Sequence, residues 1–270
     1  MSLCTCNFFS KALKNYVDVT VYIPSVHNGD AIMKSYEEIY PEGKKFKTLY
    51  LLHGALDDHS SWIRGSSVEL YAEAAELAVV MPSGQNSCYV NAVKGLDYLT
   101  FISYELPKWA ESVFPLLTAR EDRFIAGLSM GGYGALRTGL AFPERYAAIG
   151  DFSGGVDMVV TEEITSRLGI DILDFDALFG GVEQLKESDN NLYILSRKCK
   201  DSGTKLPAIY IECGTEDPLC YKINKQFSSH LKNLGYEVSY NEVPGVHEWA
   251  VWDPAVKKFI KSLDLNKRME

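Results

Sequence analysis

The chain has 270 residues, 46% hydrophobic and 23% charged, which is enough apolar material for one sizeable core. A formal net charge of −9 argues against non-specific nucleic-acid binding and gives no membrane-surface signal. No apolar run approaches membrane-spanning length, and the first residues lack the basic start and apolar stretch of a signal peptide. The six cysteines (Cys4, Cys6, Cys88, Cys199, Cys213 and Cys220) show no C-x-x-C spacing and read as reduced thiols, not a disulfide framework. These features point to a cytoplasmic protein, and the length to a single domain over residues 1–270.

In chain order, residues 8–13 read as a first edge strand. Residues 17–23 alternate and are rich in β-branched side chains, so they form a second strand, stopped by Pro24. Residues 25–46 are polar, with turn signals at 27–30 and 41–45, and His27 reads as a surface residue. Residues 48–52 are a short, continuous apolar run, the pattern of a buried parallel strand. That run enters His53-Gly54-Ala55, where the glycine lets the Ala55 amide turn inward. His53 is read as a loop brace, and Asp57 and Asp58 as turn formers. A helix is expected over 67–77 and a buried strand over 77–81. The polar loop 85–91 leaves that strand and carries Tyr89, a candidate substrate contact.

Residues 98–114 have helical periodicity, with a kink or late start at Pro107. Arg123-Phe124-Ile125-Ala126 then leads into Gly127-Leu128-Ser129-Met130-Gly131, which fits the G-x-S-x-G nucleophile elbow. A strand precedes it and a helix follows, as the elbow requires. A further strand covers 147–152. From 156 to 205 glycines, charges and short apolar clusters alternate, and this segment reads as a small helical, cap-like insertion. The sheet resumes at 206–214, followed by Asp217. A helix covers 221–234, with Gly235 after it, and a last strand spans 236–243. His247 and Trp249 follow that strand. The final helix is expected over 254–263, with Pro254 near its start.

Ser129, Asp217 and His247 each follow a different strand, in the chain order Ser, acid, His. Loops at the carboxyl ends of parallel strands converge on one crevice, so residues distant in sequence can meet there. A serine hydroxyl needs a base to take its proton, and histidine suits that task. Asp217 would fix the imidazole tautomer. The N–H groups of Met130 and Ala55 would hold the oxyanion. Glu212 and Glu216 compete for the acid role, and His230 falls inside a helix. No residues have metal-ligand spacing, and no phosphate loop or dinucleotide fingerprint follows a strand, so neither metal nor cofactor is expected.

The stretches Leu51 to Asp58, Gly127 to Ala135, Cys213 to Asp217 and His247-Glu248-Trp249 together resemble the esterase D family, over about residues 5–263. Within it, the chain is most similar to tributyrin esterase and acetyl/feruloyl esterase members. The resemblance implies an α/β-hydrolase fold, a mostly parallel sheet of about eight strands with helices on both faces. It implies a cofactor-free serine carboxylesterase acting on a small-molecule ester, with Ser129, Asp217 and His247 as triad and Ala55 and Met130 as oxyanion donors. Tyr89 and Trp249 are the candidate substrate contacts, and a homo-oligomer is compatible with the family. Related branches include S-formylglutathione hydrolases, whose Ser-Gly-Leu-Thr-Cys loop is replaced here by His-Gly-Ala-Leu. The alternatives are therefore a thioesterase of that type and, from another class, an inactive hydrolase fold serving as a binding module.

Overall fold

The structure, a computed structural model, describes residues 2–25 and 28–265, the side chains of Asn28 and Asp30 excepted. The expectation for His27 therefore lies outside the described residues. The strands are β1 (Ser2–Ser10), β2 (Asn15–Ile23), β3 (Lys47–Leu52), β4 (Leu77–Pro82), β5 (Arg123–Leu128), β6 (Ala148–Phe152), β7 (Ala208–Gly214) and β8 (Val238–Val243). They form one eight-stranded sheet in the order β1-β2-β4-β3-β5-β6-β7-β8. Pairings β1–β2 and β2–β4 are antiparallel and all others parallel. This is the α/β-hydrolase architecture.

Continuous apolar runs form the central strands because helices cover both sheet faces. The two-residue period divides their side chains between two cores. Tyr50, Leu52, Ile125, Ile149, Ile209 and Ile211 face the helices Tyr98–Val113, Met130–Ala141 and Tyr221–Asn233. Leu49, Leu51, Phe124, Ala126, Phe152 and Tyr210 face Val68–Ala74 and Trp249–Ser262. Every side chain of β3 and β4 is buried.

Several boundaries differ from the sequence reading. The first strand ends at Ser10 and does not run to 13, because Glu105 gathers that turn: its carboxylate accepts from Ser10 Oγ and from the N–H of Lys11, at 2.6 Å. The polar stretch after β2 contains two short helices, Asn28–Met33 and Tyr36–Ile39, the second started by a Ser35/Glu38 capping box. The kink near Pro107 is a π-helical segment, Phe101–Glu105, that accommodates the proline. The last helix begins at Trp249, and Pro254 lies inside it, not at its start. Packing of Trp249 on Trp62, with ring centroids 5.2 Å apart, holds that extra turn. Segment 156–205 is helical as expected, with helices at Met158–Leu168, Phe175–Phe179, Val182–Glu187 and Leu192–Asp201. Among the described residues, no helix is long and apolar enough to cross a membrane. All six cysteines are free.

Candidate active site

Ser129 sits between β5 and the helix Met130–Ala141 with φ 51° and ψ −118°, a backbone conformation that L side chains rarely adopt. Its backbone is held on both sides: the N–H donates to Phe152 O at 2.9 Å, and its C=O accepts from Gly132 N–H at 3.0 Å. The flanking glycines are required by space. A Cβ on Gly127 would lie 2.4 Å from the backbone of Gly131, and one on Gly131 only 2.5 Å from Leu52 O. The elbow therefore presses directly on the end of β3, where the loop carrying Ala55 begins.

Strands β5 and β8 are three positions apart, roughly 14 Å at ordinary strand spacing. The loop after β8 must reach back to meet Ser129, and its contacts with the loop after β7 guide it. Thr215 N–H donates to Val243 O at 2.8 Å and Glu216 N–H to Gly245 O at 3.0 Å. A Cβ on Gly214 would lie 2.3 Å from Gly245 O, so the two loops touch backbone to backbone. This contact delivers His247. Its Nε2 lies 2.9 Å from Ser129 Oγ and its Nδ1 2.7 Å from Asp217 Oδ2. Asp217 is buried, and its other oxygen accepts the N–H groups of Leu219 at 2.9 Å and Cys220 at 3.0 Å. The carboxylate is thereby fixed in rotation, with one oxygen left for the imidazole. The edge of Trp252 packs against the His247 ring at 4.9 Å and 85°.

The competing acids are elsewhere. Glu212 is buried against Lys258, at 2.9 Å, and Tyr210 OH, at 2.6 Å, while Glu216 faces solvent. His230 packs on Phe227 and Tyr193 and meets Ser196 Oγ at 2.9 Å, away from the crevice. Burial, followed by the Arg197 charge, lowers its pKa.

The loop after β3 carries Ala55 alongside the elbow. Gly54 allows this approach, since a Cβ there would lie 2.6 Å from Leu128 Cδ1. Met130 opens a helix, whose first N–H groups have no intrahelical acceptors. His53 braces the loop: its Nε2 accepts from Gly84 N–H at 2.7 Å and its Nδ1 faces Gly54 O at 2.6 Å. That pairing requires the neutral ring, and burial lowers the His53 pKa accordingly.

Tyr89, read as a candidate substrate contact, does not line the crevice. It is fully buried, its ring pressed between Gly84 and Gly134, where a Cβ would come within 2.3 Å of it. Its hydroxyl donates to His53 O at 2.9 Å, so it supports the loop carrying Ala55 from below. Trp249 does line the crevice, as do Trp252 and Cys220, which the sequence reading missed. Trp252 lies three residues beyond Trp249, the helical spacing that puts both on one face. The cavity above Ser129 holds about 560 Å³, and its far wall is Met158 together with residues from 161 to 175. Among its lining residues Asp57, Glu162 and Asp171 are acidic and none is Lys or Arg. Although nothing in the sequence has metal-ligand spacing, the fold brings ligand atoms of Asp217, Cys220 and His247 within 4.8 Å of one another.

The putative esterase family matches residues 10–261 of the chain. An acetyl esterase of Caldicellulosiruptor saccharolyticus is 32% identical over 257 residues, covering 94% of each chain. The substrate-bound structure of the Staphylococcus aureus fluorophosphonate-binding serine hydrolase F superposes with a TM-score of 0.86 at 28% identity, covering 98% of this chain and 99% of that one. An S-formylglutathione hydrolase from Staphylococcus aureus superposes with a TM-score of 0.80 at 29% identity, with the same coverage.

Proposed function

The chain belongs to the putative esterase family and is a serine carboxylesterase, and from that premise we propose that Ser129 is its nucleophile, His247 its general base and acid, and Asp217 the orienting carboxylate. One observation carries this assignment: the unbroken relay from Ser129 Oγ to His247 Nε2 at 2.9 Å and from Nδ1 to Asp217 at 2.7 Å. Asp217 holds the imidazole proton on Nδ1, which leaves the Nε2 lone pair facing the serine. Ser129 Oγ attacks the ester carbonyl while its proton passes to Nε2. The tetrahedral oxyanion is received by the N–H groups of Met130 and Ala55, a contribution of a few kcal/mol to the barrier. Collapse expels the alcohol, protonated from Nε2, and leaves an acyl group on Ser129. Water repeats the sequence and releases the acid.

The substrates are short acyl esters with acetyl, butyryl or feruloyl-type groups, which a cavity of about 560 Å³ accommodates. The acidic lining favours a neutral alcohol portion over glutathione, which carries two carboxylates. This places S-formylglutathione hydrolysis second, and the intact relay places an inactive binding module third. Six free thiols accord with a cytoplasmic enzyme. The test compares p-nitrophenyl acetate and butyrate hydrolysis by wild type and Ser129→Ala, with fluorophosphonate labelling of Ser129. Equal rates in the two proteins would dismiss the assignment.

A further inference from the structure

Cys220 is the residue of this crevice for which the reaction has no use. The residue is buried and lines the cavity beside the relay, while its backbone N–H holds Asp217. One carboxylate oxygen, one sulfur and one imidazole nitrogen from Asp217, Cys220 and His247 lie within 4.8 Å of one another. Three ligands around zinc at ordinary bond lengths stand about 3.5 Å apart, so the set has to close by about 1 Å at most to hold the ion. The mixed donor set selects a thiophilic cation such as Zn²⁺ or Cd²⁺ over Mg²⁺ or Ca²⁺. The cavity supplies the fourth, open position, and among its lining residues no Lys or Arg repels a cation.

We infer that Asp217, Cys220 and His247 form a binding site for a soft divalent cation, and that its occupation reversibly switches the esterase off. This rests on the triad assignment for its effect on activity, and on geometry alone for the binding. The thiol gives up its proton to solvent as the sulfur coordinates. Coordination at Nε2 uses the lone pair that faces Ser129. Coordination at Nδ1 moves the ring proton to Nε2, which again leaves no acceptor for the serine. Either way the base is lost.

The test is a titration with Cd²⁺, whose thiolate charge-transfer band in the ultraviolet reports sulfur coordination independently of activity. Cys4 and Cys6, both half-buried on one face of β1, are first replaced by serine to remove a competing thiol pair. The expected result is a band that saturates at one equivalent, parallel loss of ester hydrolysis, and, on adding a chelator, loss of the band with return of activity. Cys220→Ser, with Cys220→Ala as a second variant, should lose the band and need at least tenfold more cation for half inhibition, each rate taken relative to the same variant without metal. His247→Ala, read only by the band, should also bind more weakly, which tests the site even if the catalytic assignment fails. Absence of a band at stoichiometric Cd²⁺, or equal sensitivity of the Cys220 variants and wild type, would overturn the inference.

Discussion

Replacing Asp151 by asparagine should make the protein's stability less sensitive to rising pH between about 4 and 8. Asp151 lies on β6 and is fully buried behind the elbow. Its Oδ1 would be 2.2 Å from a Cβ built on either Gly132 or Gly154, so those glycines leave room for the carboxyl and nothing more. Among the described residues, neither oxygen has a well-aligned hydrogen-bond donor. Burial pushes the carboxyl up to about 8, with a modest opposing effect from the Gly154 backbone. A group whose folded pKa is raised binds its proton more tightly in the native state. Stability therefore falls as pH rises from about 4, where the unfolded carboxyl ionises, to about 8. The slope is about 1.4 kcal/mol per pH unit, an upper bound of about 4 kcal/mol accumulated between pH 4 and 7. An asparagine cannot ionise and removes this slope. Any misfit of the amide adds an offset that does not change with pH. Urea unfolding of both proteins at pH 5, 6, 7 and 8 should show the variant gaining on wild type by up to about 3 kcal/mol between pH 5 and 7. Parallel profiles would refute the reasoning, because a carboxylate charged in both states has no such slope.

Asp217→Asn should leave the fold intact and lower kcat by about 10⁴-fold, since an amide cannot hold the imidazole proton on Nδ1; a loss under tenfold in steady-state ester hydrolysis would contradict the relay. Gly131→Ala forces a Cβ to 2.5 Å from Leu52 O and 2.6 Å from His53 O, and thermal unfolding should register a loss of about 3 kcal/mol or more, with rigid backbone on both sides unable to yield. Ser129→Gly should be more stable than Ser129→Ala by about 1 kcal/mol, because only glycine adopts φ 51° and ψ −118° without strain; the ordering comes from urea midpoints at equal slope.

The parts of the fold legible in the sequence were those fixed by local pattern. Runs such as 49–52 and 77–81, short, apolar throughout and bounded by turn signals, have the pattern of strands buried on both faces, and the sheet is built on them. Ser129, Asp217 and His247 were legible because each stands just beyond such a run, at the edge where loops converge. Other features depend on partners that no local pattern names. The turn after β1 is set by Glu105, some ninety residues away, and Tyr89 reads as a substrate contact on its loop, whereas Gly84 of that loop and Gly134 of the helix Met130–Ala141 close around its ring. Pro254 carries a helix-start signal, yet the Trp62–Trp249 contact extends the helix past it. The wall at 158–175 has no periodic pattern because part of it faces the cavity and not a core.

Backbone strain is concentrated at the same edge. Outside glycine, positive φ occurs there at Leu56 beyond β3, at Gln85, Cys88 and Tyr89 beyond β4, at Ser129 beyond β5 and at Ser153 beyond β6, and elsewhere among the described residues at Lys14 and Glu76. Each such residue costs on the order of 1–3 kcal/mol and persists only where its surroundings leave no alternative. Here the surroundings are the strands themselves: Ser129 is bonded to Phe152, Ser153 to Glu212, and Leu56 N–H to Asn86 Oδ1 at 2.8 Å. Adjacent parallel strands thus hold one another's exits in tight turns. The elbow is one member of this row, and its conformation depends on the order of the strands beside it. The G-x-S-x-G pattern supplies the room to bend, and the neighbouring strands β3 and β6 fix the direction of the bend.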